Sequence, residues 1–315
     1  MTATAPSAKK KASVGNRIKR CIPMYLMALP GLVYLIINNY IPMSGIIIAF
    51  KNVNWRKGIL ASPWAGFSNF EYLFKTRDAW TITRNTICYN LVFIVLGTVM
   101  AIAIAILLNE IRSKKLKQVY QTVFLLPYLI SIVVVSYLVF AMLSIDSGFI
   151  NKSVLAALGR DSIAWYTEPK YWPFILVIVY LWKTFGYNSI IYYATLVGVD
   201  HSYYEAAAID GATRWQQIRH VTLPALTPTI ITLTLLSVGK IFYSDFGLFY
   251  QVPMNSGPLL DVTNTIDTYV YRGLIQLNDL GMSSAAGVYQ SLVGFILVLA
   301  ANKVVSRVDK DNALF

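Results

Sequence analysis

The chain has 315 residues, of which 56% are hydrophobic and 13% are charged. An average soluble domain carries about 25% charged residues, so this sequence lacks the charged surface that a soluble enzyme needs. The Lys and Arg residues exceed the Asp and Glu residues by 12. In so apolar a chain, this excess favours contact of basic segments with an anionic membrane surface over binding to nucleic acid.

Long segments almost free of charge alternate with polar ones along the chain, and each is long enough for the roughly 20 residues that a helix needs to cross a bilayer. The sequence therefore predicts an all-α polytopic membrane protein with six transmembrane helices, at about 22–49, 86–109, 120–142, 172–198, 223–246 and 284–302. These helices form one domain, 21–306. A disordered basic tail, 1–20, is predicted before it and a short tail, 307–315, after it.

The distribution of basic residues predicts the orientation of these spans. The side that holds both termini carries 15 Lys and Arg residues, against 10 on the other side. Because basic loops stay on the cytoplasmic side, both termini are expected in the cytoplasm. The long aromatic segments 51–85, 143–171 and 247–283 then lie outside. They either meet an external partner or anchor the protein at the membrane interface.

The sequence contains none of the usual catalytic or metal-binding motifs. Its two histidines, His201 and His220, are not spaced as zinc ligands, and no nucleophile-elbow motif occurs. The Gly239-Lys240 pair lacks the first glycine and the Ser or Thr of a phosphate-binding loop. We therefore expect a subunit that is not an enzyme, with no metal, cofactor or nucleotide site of its own.

Three ionisable residues lie inside the predicted spans: Lys183, Lys240 and Asp245. A charge at the centre of a membrane helix costs at least about 2.5–3.5 kcal/mol, so such residues usually face a cavity or pair between helices. Both interpretations stay open. Tyr187 and Tyr243 lie nearby and can stack on sugar rings, although interfacial tyrosines are common. These five residues are the candidates for a substrate pathway.

The segment 199–222, between the fourth and fifth spans, is predicted to form two short helices. Residues 203–210 are rich in alanine, Gly211 interrupts the pattern, and helical character resumes at 212–220. Leu223-Pro224 is expected to end the second helix and begin the fifth span. Two short helices joined at a glycine would form a compact projection for a partner's groove.

This segment resembles the "EAA" loop of binding-protein-dependent ABC importer permeases. Glu205-Ala206-Ala207 is followed after three residues by Gly211, and after nine more by Val221 and, one residue later, Leu223-Pro224. Val221 replaces the usual isoleucine, a conservative change. The stretches LPGLVYLIINNYIPMSGIIIAFKNVN and LVGVDHSYYEAAAIDGA are similar to the carbohydrate-importer branch. The resemblance is closest to permeases described as polysaccharide-type or lipoprotein-associated, and it implies a type I, maltose-permease-like architecture.

The resemblance also implies partners and residue roles. The chain would pair with a second homologous permease and two copies of a cytoplasmic ABC ATPase that bind ATP and Mg²⁺. An extracytoplasmic solute-binding protein or lipoprotein would deliver an oligosaccharide or related sugar to a bacterial plasma membrane. In the coupling loop, Glu205 would make a polar contact with the ATPase and Ala206 and Ala207 would allow close approach. Gly211 would provide the turn between the two helices, and Asp210, Leu223 and Pro224 also belong to the coupling loop.

The main alternative is a secondary transporter driven by an ion gradient. Such a protein typically has an inverted repeat and carboxylates at the bilayer midplane. The sequence shows no repeat, and its intramembrane ionisable residues are limited to the three named above. The ATP-driven importer is therefore the preferred prediction.

Overall fold

The computed structural model describes residues 14–308, and this part of the chain is almost entirely helical. Its main helices are α1 (Val14–Leu35), α2 (Ser68–Lys75), α3 (Arg77–Glu110), α4 (Lys114–Leu129), α5 (Ile132–Leu143), α6 (Trp172–Val197), α7 (His201–Ile209), α8 (Arg214–Gly239), α9 (Phe246–Gln251), α10 (Ile266–Ile275) and α11 (Leu280–Val308). Helix α1 continues through Ile36–Tyr40, Ile41–Met43 and Ser44–Phe50. Shorter helical turns are Gly58–Ala61, Ile150–Leu155, Trp165–Thr167, Pro169–Tyr171, Gly257–Leu259 and Leu260–Thr263.

Within residues 14–308, five helical segments are long and apolar enough to cross a membrane: Cys21–Phe50, Arg77–Glu110, Pro169–Val197, Arg214–Gly239 and Leu280–Arg307. Helices α4 and α5 pass the same test as a pair, with a bend of 91° between them. The predicted all-helical fold is thus confirmed. The count of six spans holds when the bent pair is counted as one.

The third span, predicted at about 120–142, is not one straight helix, because the helix breaks at Ile130 and Ser131. A helix end leaves backbone carbonyl groups without partners, and these are costly away from water. Here the ammonium group of Lys183, on α6, donates to the carbonyl oxygens of Tyr128 at 3.1 Å and Ile130 at 2.5 Å. The break is therefore stabilised by a residue from another helix.

The fifth span also differs from the prediction of 223–246. Helix α8 ends at Gly239, and residues 240–245 form an irregular turn before α9. Asp245 lies outside the long helix and begins α9, where its carboxylate accepts a hydrogen bond from the Leu248 amide at 3.1 Å. Asp245 thus caps a helix instead of lying within one.

The two chain ends are more helical than predicted within the described residues. Helix α1 begins at Val14, so residues 14–20 of the predicted disordered tail are helical. Helix α11 continues to Val308, beyond the predicted end of the sixth span at 302. Residues 1–13 and 309–315, which hold the rest of both predicted tails, lie outside the described part of the chain.

The centre of the bundle is the packing of α3 along α6 and α8. Small side chains on α3, at Gly97, Ala101 and Ala105, are buried at intervals of four residues. Ala101 and Ala105 belong to one buried cluster with Tyr192 of α6 and Leu226 of α8. Small residues in this spacing let membrane helices approach closely.

Candidate functional site

The loop between α6 and α8 begins with a well-capped helix. The Asp200 carboxylate accepts a hydrogen bond from the Ser202 amide at 2.9 Å, and hydrogen bonds from Ser202 lower the pKa of Asp200. Helix α7 then ends in a left-handed turn at Gly211, whose φ is +78°. The Ala212 amide donates to the Ala207 carbonyl at 2.9 Å, closing the turn that a glycine in this position favours.

Helix α8 begins directly after this turn with a capping box. The Gln216 amide donates to the Thr213 hydroxyl at 3.4 Å, and the Thr213 amide donates to the Gln216 side chain at 2.7 Å. An α-helical segment begins at Leu223, where the sequence predicts the start of the fifth span, but the chain stays helical from Arg214 to Gly239 without the predicted interruption. A π-helical turn at Ile218–Thr222 precedes Pro224, and such local adjustments accommodate proline inside membrane helices.

The two-helix projection, defined as residues 200–217, presents both apolar and charged side chains to the outside. Tyr203, Ile209 and Trp215 are 64%, 86% and 69% exposed. The Glu205 carboxylate is exposed and makes no hydrogen bond or ion pair within residues 14–308. Side chains of the projection line a depression of about 360 Å³ between α7 and the start of α8. They are His201, Tyr204, Glu205, Ala208, Ala212, Arg214 and Gln217.

The projection gathers most of the predicted coupling residues. Glu205, Ala206, Asp210 and Gly211 are exposed on it, and Ala207 is half-buried. Leu223 and Pro224 instead lie within α8, beyond the projection. The motif residues therefore fall into two groups: one group lies on the exposed surface of the projection, and Leu223-Pro224 lies in the helix α8 that follows it.

Two side-chain contacts attach the projection to the bundle. Arg214 lies 4.0 Å from the Glu110 carboxylate at the end of α3. The Tyr204 hydroxyl lies 3.1 Å from the hydroxyl of Thr222, which is buried in α8. Sequence reasoning missed both contacts, because neither pair is local in the chain. The Thr213–Gln216 capping box, by contrast, has a recognisable Thr-x-x-Gln pattern.

A cavity of about 590 Å³ lies between α3, α6 and α8. Four of the five predicted pathway residues line it: Tyr187, Lys240, Tyr243 and Asp245. The other polar or aromatic side chains that line it are Asn90, Phe93, Thr98, Tyr180, Thr184, Asn188, Tyr192 and Ser237. The Lys240 ammonium group makes no hydrogen bond or ion pair with any residue in the described range, so the cavity offers a free cation.

The irregular turn after α8 directs Lys240, Tyr243 and Asp245 toward this cavity. The Asn90 amide group on α3 donates to the carbonyl oxygens of Ile241 and Tyr243, each at 2.9 Å. On the other side, Ser244 donates through its amide to the Asp267 carboxylate at 2.7 Å, and Gln290 donates to the Phe242 carbonyl at 2.8 Å. Such donors are required where an irregular backbone lies at membrane depth. Sequence reasoning missed Asn90, although an amide in an apolar span is itself a signal.

Lys183 does not line the cavity. Its ammonium group contacts the end of α4, and Gly186, one turn away, lies against the Phe124 backbone of the same helix. Tyr187 stacks on Tyr128 with ring centroids 4.5 Å apart and an interplanar angle of 12°. Lys183 therefore pairs between helices, whereas Tyr187 has one ring face on α4 and contributes to the cavity wall.

The cavity and the projection are joined by continuous helices. Helix α6 carries Tyr187 and ends just before Asp200, and α8 begins at Arg214 and ends just before Lys240. From Arg214 to Lys240, 26 residues at 1.5 Å per residue span about 39 Å. Helix α8 thus connects the projection directly to the cavity.

Comparison with known proteins places this arrangement in a family. Residues 94–310 match the model of the family described as binding-protein-dependent transport system inner membrane component. Protein LplB of Bacillus subtilis is 33% identical over 94% of this chain and 92% of its own length. The polygalacturonan/rhamnogalacturonan transport system permease protein YteP of the same organism is 32% identical over 92% of this chain and 89% of its own.

A solved structure has the same fold. A chain of a bacterial ABC transporter involved in the import of the acidic polysaccharide alginate superimposes with a TM-score of 0.86 and 32% identity, covering 94% of this chain and 99% of that one. These similarities favour the ABC permease over a transporter driven by an ion gradient. The chain belongs to the binding-protein-dependent transport system inner membrane components and is a multi-pass permease subunit of a carbohydrate-branch type I ABC importer.

Proposed function

We propose that this chain forms half of the translocation pathway of an ATP-driven importer for an oligosaccharide. A second homologous permease supplies the other half. Two copies of a cytoplasmic ATPase, which bind ATP and Mg²⁺, drive transport, and an extracytoplasmic solute-binding protein or lipoprotein delivers the sugar. Both termini lie in the cytoplasm, on the same side as the projection 200–217.

The observation that carries this proposal is the continuous helix from the projection to the cavity. A transporter powered by another subunit needs a surface for that subunit and a rigid connection to the substrate site. The exposed side chains of Ile209 and Trp215 supply an apolar surface, and the Glu205 carboxylate beside them supplies a polar contact. Helix α8 supplies the connection to Lys240.

The lining of the cavity supports a sugar as the substrate. Tyr187 and Tyr243 are 44% and 45% exposed and offer flat aromatic faces, which pack against the C–H faces of a sugar ring. Asn188 and Thr184 offer hydrogen-bonding groups for hydroxyls, and Lys240 offers a charge. Relatives named for polygalacturonan/rhamnogalacturonan, arabinooligosaccharide and lactose transport agree with this class of substrate.

Affinity purification of the chain from its native membrane, after mild solubilisation, tests the assembly. We expect a second permease and an ATPase to co-purify, with two ATPase copies for each permease pair. A matched Trp215→Ala, Ile209→Ala double variant should keep the second permease and lose the ATPase. Recovery of a chain without any ATPase, from membranes that still transport the sugar, would contradict the proposal.

A further inference from the structure

A second concave surface lies outside the cavity described above, between α3 and α6. This groove has a volume of about 610 Å³ and lies at the end of the bundle away from α7. Arg84 and Asn85 are at one end, and Val92, Leu96, Phe174 and Ile178 form its apolar walls. We propose that the groove binds an anionic phospholipid, with one acyl chain along the apolar walls and the lipid phosphate at Arg84.

The length of the groove matches one leaflet of a bilayer. Arg84, Cys88, Val92 and Leu96 recur at intervals of four residues and therefore form a single stripe along α3. From Arg84 to Leu96 this stripe is about 18 Å long, at 1.5 Å per residue. Half of the hydrocarbon core of a bilayer is about 15 Å thick. An acyl chain that starts beside Arg84 thus ends near the middle of the membrane, where the groove ends.

The polar end of the groove fits a phosphate group. Arg84 donates to the Asn85 side-chain oxygen at 2.9 and 3.2 Å and to the Asp261 backbone carbonyl at 2.9 Å. These contacts hold the exposed guanidinium group in place, but neither acceptor is a carboxylate. No acidic side chain in residues 14–308 forms an ion pair with Arg84, so its positive charge is available to an anion. These bonds use three of the five N–H groups of the guanidinium, and the two N–H groups on Nη1 remain to bind a phosphate oxygen.

The remaining walls favour a lipid chain over an irregular protein segment. Phe174 and Ile178 are 71% and 65% exposed and flank an almost wholly apolar channel. An irregular protein segment in this channel would bury backbone amides and carbonyls without partners, which is costly at membrane depth. A molecule with a single charged end and a long hydrocarbon chain meets no such cost.

Native mass spectrometry of the intact permease complex, purified from membranes that contain phosphatidylglycerol, tests the proposal. We expect one phosphatidylglycerol to remain bound to this chain. Arg84→Gln should lower its occupancy about tenfold, the effect of losing a charged hydrogen-bond donor. Arg77→Gln is the matched control, because Arg77 is an exposed arginine on the same helix that lies outside the groove.

A second variant separates loss of the lipid from damage to the fold. Val92→Trp fills the apolar part of the groove, leaves Arg84 unchanged and should also displace the lipid. The native complex is then labelled with a phosphatidylglycerol that carries a photoreactive diazirine in its acyl chain. Labelling concentrated at Cys88, Val92 and Leu96 supports the site. Equal labelling of Leu292, Phe295 and Ile296, which are exposed on α11 and lie outside the groove, or retention of the lipid by both Arg84→Gln and Val92→Trp, would overturn it.

Discussion

The ammonium group of Lys183 lies 3.1 Å from the backbone carbonyl oxygen of Tyr128, at the point where the third span breaks. A positive charge at the carbonyl end of a helix is favourable, and here it replaces hydrogen bonds that the next helical turn would have made. Lys183 thereby holds α4 against α6. This contact explains why an ionisable residue is tolerated near the middle of α6.

Replacement of Lys183 by methionine separates this positioning role from a role in the pathway. Lys183→Met leaves carbonyl groups at the α4 end without a donor, and we expect it to destabilise the permease by about 2 kcal/mol. The matched variant Lys240→Met removes a cavity cation that has no partner, so it should reduce sugar uptake and leave the melting temperature unchanged. Thermal unfolding and uptake in the same proteoliposomes measure both effects. An unchanged melting temperature in Lys183→Met would contradict the positioning role.

Gly186 tests the close approach of α6 to α4. A Cβ atom at this position would lie 1.8 Å from the Phe124 carbonyl oxygen, so Gly186→Ala must push the helices apart. We expect a loss of stability of about 1–3 kcal/mol, typical of overpacking. At Gly97 the nearest atom to a Cβ would be a Leu181 methyl group at 4.0 Å, so Gly97→Ala should be tolerated. Equal melting temperatures for the two variants would show that the close contact is absent.

Gly211 tests the turn of the projection. Its positive φ strains any L-residue, whereas a Cβ would meet no atom within 4 Å. Gly211→Val should therefore distort the turn and sharply reduce ATP-dependent uptake, because β-branched residues strongly disfavour this conformation. Gly211→Asn should keep most of the activity, because asparagine tolerates left-handed backbone. If both variants transport equally well, the shape of this turn does not matter for coupling.

Asn90 tests the irregular turn that faces the cavity. Asn90→Leu removes the donor to the Ile241 and Tyr243 carbonyls, and we expect both a lower melting temperature and weaker uptake, because the irregular turn loses two hydrogen bonds that hold it against α3. Asn188→Leu is the control for stability, since the Asn188 side chain makes no hydrogen bond within the described range. A destabilisation of Asn188→Leu as large as that of Asn90→Leu would argue against a specific role of Asn90.

The features of the fold that the sequence predicts are those that depend only on residues close together in the chain. Charge-free segments predict the spans because burial in lipid depends on composition, and Gly211 predicts the turn because only glycine adopts that backbone conformation without strain. The break at Ile130 is not predictable in this way, because its stabilising partner, Lys183, lies 53 residues away. The continuity of α8 through Pro224 is unpredictable from the sequence for a related reason. A π-helical turn before it lets α8 continue, and no local pattern marks that turn.

In the candidate site, the sequence predicts the types of residue present but not their arrangement in space. The residue types that line the cavity, including Tyr187 and Lys240, follow from the rarity of charge and the abundance of tyrosine in the spans. Their arrangement does not, because Asp245 reaches the cavity only through a turn held by Asn90 and Asp267 on other helices.

In the proposed mechanism, energy reaches the cavity from an ATPase through the projection. The most direct test is oligosaccharide uptake into proteoliposomes that contain the complete complex and its binding protein, with ATP inside or outside the vesicles. We expect accumulation only when ATP is on the side of the projection, insensitivity to ionophores, and loss of accumulation in Gly211→Val. Uptake that persists without ATP and collapses when ionophores dissipate the ion gradients would contradict the account.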